Sequence, residues 1–278
     1  MARTLFGPPD GDPQPKPSDD RPVRMQVMIT VKAAPNPSER YGETVCVAGI
    51  RAEMTNPGWI RLYPINFRDL TSDETFRKYQ LITLEAIAAR GDQRRESFRP
   101  ILPTIVQGEI VEKWPARRAW LDDYLEDSMC RLNADVKDHP DAKSLSLIRP
   151  REVSGMRFEA HPGWSLEEQR KIDRYVGQLD LLDSRDRTPL QPPRFKGWYR
   201  YHCYEPRCRG HEQGILDWEF VMLQRRLVGR DDAEVQRELR AKFQTMMCSP
   251  RRDVAFYVGN QAKRVHVFSV LGVYYPPC

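Results

Sequence analysis

Residues 24–112 hold short apolar-rich segments separated by turn residues, and the first of these segments alternates apolar and polar positions. Alternation with a period of two is typical of β-strands that bury one face. It predicts a strand over residues 25–31. Apolar and β-branched content between turn residues predicts further strands over 44–50, 59–63, 79–88, 101–106 and 108–112. Several short strands at this spacing favour a small barrel or a strongly bent sheet.

The middle of the chain mixes helical and strand patterns. Pro115 opens a predicted helix that runs to about residue 129, because the missing N–H of proline has no partner in the first turn of a helix. Strands are predicted over 145–148 and 153–158. Ser165 and Glu168 form a capping-box pattern, which predicts a helix from there to about residue 178. Three prolines and several charges make residues 181–193 the candidate linker.

The last part of the chain has a different order of elements. Residues 195–204 alternate in part and predict an aromatic strand. Residues 211–228 and 232–247 have the spacing of two helices, and Gly229 ends the first. Residues 254–258 and 265–274 then predict two strands around a turn at Gly259 and Asn260.

These patterns predict an α+β protein with a β-barrel-like N-terminal part and a C-terminal strand-helix-helix-hairpin module. Residues 1–23 hold six prolines and no apolar periodicity, which predicts a disordered tail. The predicted divisions are a tail over 1–23, a β-rich domain over 24–180, a linker over 181–193 and a basic Cys/His module over 194–278.

Composition narrows the class of protein. No run of about 18 apolar residues is present, so no membrane helix is predicted. Six cysteines without a secretion signal favour free thiols or a metal site and a cytoplasmic location. Residues 191–278 carry 15 basic and 9 acidic side chains, whereas the whole chain has a net charge of only +5. The last third therefore either carries ordinary surface charge or presents a basic face to an anionic partner.

A closely spaced Cys/His group lies in this basic third. Cys203, Cys208 and His211 provide soft ligands of the kind that bind zinc, and their spacing lets one loop wrap an ion. A structural zinc site needs four ligands, and Cys248 is the favoured fourth. The alternatives for that position are His202, Cys278 and a water molecule. The competing interpretation is buried or free thiols beside a structural histidine.

Two carboxylates follow the group at Asp217 and Glu219. Together with His211 they provide the residue types of a metal-dependent nuclease. They are two positions apart, so they do not share a helix face, and no nuclease signature surrounds them. The alternative is that Trp218 packs in the core while the two acids cap a helix or pair with neighbouring arginines.

Basic and aromatic residues alternate on the predicted strand 195–204. Nucleobases stack on aromatic faces while cations meet phosphates, so this pattern is typical of single-strand binding surfaces. The candidate contacts here are Arg194, Lys196, Trp198 and Arg200. Half of these aromatic residues are expected in the core on any alternating strand. The helix-helix-hairpin order also fits a winged helix-turn-helix, with candidate contacts at Arg237, Arg240, Lys263 and Arg264.

Two stretches of the sequence resemble a group of uncharacterised bacterial proteins associated with mobile elements and phage defence. The first is Cys46-Val47-Ala48-Gly49-Ile50 with Trp59-Ile60-Arg61-Leu62-Tyr63-Pro64-Ile65. The second joins Cys203, Cys208, His211 and Asp217-Trp218-Glu219 to Phe256-Tyr257-Val258-Gly259-Asn260 and Phe268-Ser269-Val270-Leu271-Gly272-Val273. The first half is similar to the dual OB-fold domain of such systems. The resemblance implies small OB-like barrels and a nucleic-acid partner, and it implies no catalytic residues.

The sequence lacks the Walker, dinucleotide-binding, nucleophile-elbow and zinc-protease motifs. The leading hypothesis is a nucleic-acid-binding accessory or sensor protein with a structural zinc site. The alternatives are a metal-dependent nuclease using His211, Asp217 and Glu219, and a structural partner of another protein that binds no nucleic acid.

Overall fold

The computed structural model describes residues 16–38, 42–52, 58–67, 70, 75–139, 141–177 and 188–278. The N-terminal sheet consists of β1 (Val23–Lys32), β2 (Asn36–Ser38), β3 (Gly42–Arg51), β4 (Gly58–Ile65), β5 (Gln80–Ala88) and β6 (Ser97–Ile110). Its order is β1-β5-β6-β4-β3-β2, and a further pairing of β1 with β3 closes the five long strands into a barrel. The predicted strands 101–106 and 108–112 belong to the single strand β6 and its end.

The connectivity of this barrel is that of an OB-fold. In chain order, its first long strand pairs with the second and the fourth, and the second pairs with the third. The third runs parallel to the fifth, and the fifth pairs with the fourth. A five-stranded Greek-key barrel of this kind is the OB architecture. The prediction of an α+β fold with an OB-like N-terminal barrel is confirmed.

Helix α1 (Trp114–Leu121) and one 3-10 turn (Asp122–Tyr124) connect the barrel to the C-terminal half. The helix predicted to reach residue 129 ends here because β7 (Leu125–Glu126) turns away to pair with a later strand. The rest comprises α2 (Met129–Asp138), β8 (Leu145–Ile148), β9 (Glu152–Ala160), α3 (Leu166–Gly177), β10 (Phe195–His202), β11 (His211–Gly214), α4 (Trp218–Arg226), α5 (Asp232–Arg240), β12 (Ala255–Gln261) and β13 (Arg264–Tyr274). A π-helical turn (Ala241–Met246) extends α5.

The C-terminal strands repeat the OB connectivity. Strands β8 and β9 follow each other closely and form one first strand, bent at Pro150. That strand pairs with β10 through β9 and with β12 through β8. Strand β10 pairs with β11, and β12 pairs with β13. A parallel bridge between Ile215 and Val270 joins the third strand to the fifth. We call residues 23–110 the first barrel and residues 125–278 the second barrel.

The helix pair α4 and α5 lies between the third and fourth strands of the second barrel. The order strand, helix, helix, hairpin therefore belongs to a barrel rather than to a winged helix-turn-helix. The helix predicted from residue 211 begins at Trp218, because His211–Gly214 pairs with β10 as a strand. The hairpin turn falls at residues 262–263, because Gly259 and Asn260 are still paired within β12.

The predicted linker 181–193 comes between two paired strands of the second barrel. Strand β9 pairs with β10, so the two sides of the predicted linker 181–193 belong to one sheet. Residues 181–187 of that segment lie outside the described residues, as do residues 1–15 of the predicted tail. The capping box of α3 is present, since Glu168 accepts from the backbone N–H of Ser165 and Ser165 Oγ accepts from that of Glu168.

Candidate metal centre and nucleic-acid interface

Three elements of the second barrel bring four metal-ligating side chains together. Cys203 directly follows β10, Cys208 lies in the loop to β11, and His211 begins β11. Cys130 comes from the first turn of α2. The four ligand atoms lie within 4.8 Å of one another. A closed Cys3His donor set of this kind is typical of structural zinc sites.

The distances within the cluster fit one tetrahedral ion. Nε2 of His211 lies 3.3 Å from Cys208 Sγ, 3.4 Å from Cys203 Sγ and 3.5 Å from Cys130 Sγ. The sulfur atoms of Cys203 and Cys130 are 3.6 Å apart. Zinc bonds of about 2.3 Å to sulfur and about 2.0–2.1 Å to nitrogen, at tetrahedral angles, give ligand separations of about 3.5–3.8 Å. The side chains therefore need little adjustment to hold an ion.

Backbone groups around the cluster favour thiolates. The N–H of Gly210 donates to Cys208 Sγ at 3.4 Å, and Gly210 adopts a φ of +92°, which favours glycine. Burial opposes the charged form of Cys203, but hydrogen bonds from His211 and from the N–H groups of Cys130 and Glu205 lower its pKa to about 6. Burial and then the neighbouring Cys203 raise the pKa of Cys130 to about 12. Negative charge therefore collects on Cys203, whereas the Cys130 thiol keeps its proton until an ion binds.

A second layer of contacts fixes the ligand loops. The N–H of Tyr204 donates to the carbonyl of Asp127 at 2.9 Å, which ties the loop after β10 to the start of α2. The ring of Tyr201 lies 5.2 Å from that of His211, and its hydroxyl donates to Gln213. Gln213 in turn donates to the sulfur of Met129 at 3.4 Å. Such contacts orient ligands before an ion binds.

Cys248, the favoured fourth ligand in the sequence analysis, lies outside this cluster. Its thiol lies 3.4 Å from the carbonyl of Phe243, and burial raises its pKa to about 12. Cys130 takes the fourth position instead. It is 73 residues before Cys203 in sequence, so local spacing could not identify it. The only signal in the sequence was that Cys130 is one of just six cysteines in the chain.

The two acids of the nuclease alternative, Asp217 and Glu219, cap a helix and contact a lysine. Asp217 is the N-cap of α4, where it accepts from the N–H of Glu219 at 2.7 Å. Glu219 contacts Lys242 at 3.4 Å. Burial raises the pKa of Asp217 to about 7, against the opposing effect of Lys78. Among the described residues, neither acid joins a group of three or more metal-ligating side chains, and His211 belongs to the sulfur cluster.

The usual ligand face of the first barrel is covered by the second. OB-folds bind oligonucleotides on the face of their second and third strands, between the loops that join strands 1–2 and 4–5. Here Trp59 packs 6.2 Å from Tyr257 and is 6% exposed. Arg61 is 3% exposed and donates to the carbonyl and hydroxyl of Ser144 at 3.2 and 3.0 Å.

Both flanking loops of the first barrel are engaged in the same way. The N–H of Ala34 donates to the carbonyl of Leu216 at 2.7 Å. Arg94 donates to the carbonyl of Asn260 at 2.9 Å, and Glu96 accepts from the N–H of Ser144 at 2.9 Å. The first barrel therefore presents its ligand face to the second barrel.

The equivalent face of the second barrel consists of β10 and β11 and is open. Along β10, alternate residues are buried in the core, including Tyr199 and Tyr201, while Lys196, Trp198 and Arg200 face outward. The guanidinium of Arg157 stacks on the ring of Trp198 at 3.9 Å. Across β11, Trp198 lies opposite Gly214, so no larger side chain covers its ring on that side.

This open face continues into a cleft of about 750 Å³. We define the cleft by six of its lining residues: His161, Trp164, Lys196, Trp198, Gly214 and Arg225. Its walls come from β10 and β11, from the loop after β9, from the β12–β13 hairpin and from residues 34–36 of the first barrel. This is the position between loops 1–2 and 4–5 at which OB-folds bind ligands.

The remaining predicted contacts are spread around the second barrel. Lys263 and Arg264 are exposed at the β12–β13 turn. Arg200 pairs with Glu212, and Arg194 pairs with Asp232. On α5, Arg237 pairs with Glu234, and Arg240 donates to the carbonyl of Met156. Of the eight predicted contacts, Lys196 and Trp198 line the cleft.

Comparison with known proteins agrees with the two-barrel division. The family model described as domain of unknown function DUF8758 matches residues 23–123. A second, described as domain of unknown function DUF8757, matches residues 125–278, more than half of the chain. No curated protein matches the chain. None of the described helices is long and apolar enough to cross a membrane.

Among solved structures, the crystal structure of the p204 HINb domain aligns with 97% of this chain and 100% of its own, at 9% identity and a TM-score of 0.29. A TM-score this low does not establish a shared fold, so the OB assignment depends on the strand pairing described above. By the match over residues 125–278, the chain belongs to the family defined by the domain of unknown function DUF8757.

Proposed function

We propose that the protein binds single-stranded nucleic acid on the open face of the second barrel. The observation that carries this proposal is the outward face of β10, where Trp198 lies between Lys196 and Arg200 beside the cleft. Unpaired bases stack on aromatic rings while cations contact the backbone phosphates. Duplexes keep their bases stacked internally, so we expect the single strand to be preferred.

The charges near this face indicate that electrostatic attraction contributes only modestly to the affinity for nucleic acid. Arg157 and Arg200 both pair with Glu212, which offsets part of their charge. Lys196 in the cleft and Lys263 at the β12–β13 turn are the cations that best fit direct phosphate contact. Stacking on Trp198 therefore contributes a large share of the expected affinity.

Replacing the stacking residue gives the most direct test. We expect Trp198→Ala to weaken binding of a single-stranded oligonucleotide of about 16 nucleotides by roughly tenfold, since stacking contributes about 1–3 kcal/mol per base. Trp198→Phe should retain part of the affinity because it keeps an aromatic face. Fluorescence anisotropy with labelled DNA and RNA strands provides the measurement, and thermal unfolding checks that each variant is folded.

Salt dependence separates the phosphate contacts from stacking. Lys196→Ala should lower the slope of log affinity against log salt by about 0.7 for a single strand. Arg24→Ala is the matched control, because Arg24 is exposed on β1 of the first barrel, and it should leave the slope unchanged. If the wild-type protein binds no DNA or RNA strand at low salt, the alternative of a protein-interaction partner replaces this proposal.

We also propose that the ion held by Cys130, Cys203, Cys208 and His211 is zinc and that its role is structural. Three thiolates and one imidazole leave no open position for a substrate. The ion would tie α2 to the loop at the end of the β10–β11 pair. The proposal also includes the setting implied by the sequence resemblance. In a bacterial defence or mobile-element system, this protein would act as an accessory protein or as a sensor of single-stranded nucleic acid.

Elemental analysis tests the metal assignment. Protein purified without added metal should contain about one zinc per chain, and denaturation should release it. Iron or copper in place of zinc would contradict the choice of ion. Fully folded protein without any bound metal would contradict the site itself.

A further inference from the structure

The cleft differs from an ordinary OB surface because both barrels enclose it. Residues 34–36, from the first loop of the first barrel, form part of its wall. That loop is held in place by the hydrogen bond from the N–H of Ala34 to Leu216. Ligand sites for small molecules have volumes of about 300–1,000 Å³, and the cleft has about 750 Å³. Its size therefore suits a compact ligand as well as a passing strand.

Part of the cleft lining outside β10 is aromatic and held by hydrogen bonds. The indole N–H of Trp164 donates to the carbonyl of Leu190 at 2.7 Å, which fixes the ring. His161 packs edge-on against that ring, with 5.3 Å between centroids, and its Nδ1 accepts from the N–H of Gly163 at 3.1 Å. Two tryptophan rings from different segments, Trp164 and Trp198, thus line the same cleft.

Polar side chains that line the cleft provide hydrogen-bond donors and acceptors for the edge of a nucleobase. Asn36, Gln191 and Gln261 line the cleft with amide groups that both donate and accept. Lys196 and Arg225 line it with positive charge. Burial, and secondly the charge of Lys196, lowers the pKa of His161 below its ordinary value, so its ring stays neutral near neutral pH. A planar heteroaromatic base carrying a phosphate satisfies the rings, the amides and the cations together.

We propose that the cleft binds one nucleotide as a unit, with its base against the tryptophans and its phosphate near Lys196 or Arg225. This inference builds on the proposed binding of single strands, where the nucleotide is one unpaired residue of the strand. A free nucleotide carries the same chemistry, so the experiment distinguishes the two sources.

Gly214 allows the cleft to be closed without disturbing the fold. A Cβ built at Gly214 meets only the indole of Trp198, at 3.6 Å, which is ordinary contact. Gly214→Leu would therefore extend into the cleft. Gly91→Leu is the matched control, because nothing lies within 4 Å of a Cβ at that position in the first barrel.

The test combines monomers with strands. Titration with AMP, GMP, CMP and UMP should quench tryptophan fluorescence in a saturable way, whereas ribose 5-phosphate should have no effect. Gly214→Leu should weaken nucleotide binding at least tenfold, and Gly91→Leu should leave it unchanged. A strand with 2-aminopurine at successive positions should show a change in emission confined to one position, and Gly214→Leu should remove it.

The possible outcomes separate the two proposals. Strands that bind with the predicted Trp198 and salt dependence, while monomers do not bind and Gly214→Leu has no effect, would overturn the cleft inference and leave the proposed function intact. Monomers that bind in a Gly214-sensitive way, with no binding of strands, would support the cleft as a free-nucleotide site and overturn the proposed function. Quenching by ribose 5-phosphate equal to that by AMP would overturn recognition of the base.

Discussion

Replacing any one of Cys130, Cys203 and Cys208 with serine should release the metal and unfold much of the second barrel. Structural zinc contributes apparent binding free energies of about 10–16 kcal/mol, and this is folding free energy because no site exists in the unfolded chain. Whole domains are stable by only about 5–15 kcal/mol. The free energy lost with the ion is therefore expected to exceed the free energy of unfolding of the second barrel.

The measurements for this prediction are zinc content and thermal unfolding of each variant. Cys248→Ser is the matched control, because Cys248 is also partly buried yet lies outside the cluster, near the carbonyl of Phe243. It should retain zinc and unfold close to the wild-type temperature. The reverse pattern, with zinc lost from Cys248→Ser and kept in Cys130→Ser, would restore the ligand set expected from sequence spacing.

Trp59→Ala should destabilise the contact between the two barrels. The indole is 6% exposed and packs edge-on against Tyr124 at 5.8 Å and Tyr257 at 6.2 Å. Truncating a buried tryptophan costs about 3–5 kcal/mol, because transfer and cavity effects add. We expect a clear fall in unfolding temperature and faster proteolysis of the connecting segment around α1. Chemical denaturation followed by fluorescence and circular dichroism measures the change.

Tyr63→Ala is the control for this prediction. Tyr63 lies on the same strand, β4, but is 47% exposed, so its truncation should cost about 1 kcal/mol or less. Equal losses of unfolding free energy in the two variants would show that β4 stabilises the first barrel itself rather than the interface between the barrels. A stable Trp59→Ala protein that gained a new single-strand site would show instead that the second barrel acts as a removable cover.

Much of the strand and helix content could be predicted from local sequence alone. Each long strand of the first barrel overlaps a segment rich in apolar and β-branched residues between turn residues, a composition typical of strands. Consecutive positions of β1 and β4 are buried, so both faces of these strands are covered. The capping box at Ser165 was also readable, since its two hydrogen bonds involve residues three apart. The helix expected from residue 211 was wrong, because pairing with β10 outweighs the helical spacing of that segment.

Local sequence likewise identified three of the four side chains in the Cys3His cluster. Cys203, Cys208 and His211 lie within nine residues on a strand, a loop and the next strand, so the chain itself keeps them close. Alternation on β10 also required that some aromatic residues face outward. It could not decide that Trp198 is the one beside the cleft, because that depends on which face meets the core.

The fourth member of the Cys3His cluster, and which barrel face stays open, were decided only by tertiary structure. Cys130 reaches the cluster because α2 packs beside the β10–β11 loop, a contact between segments 73 residues apart. The resemblance that includes Trp59 and Arg61 implied an OB-like barrel with a nucleic-acid partner, yet packing between the barrels buries both residues. Periodicity reports that a face is apolar or polar. Which neighbouring surface covers that face is a property of the assembled fold, since non-local packing leaves no local pattern.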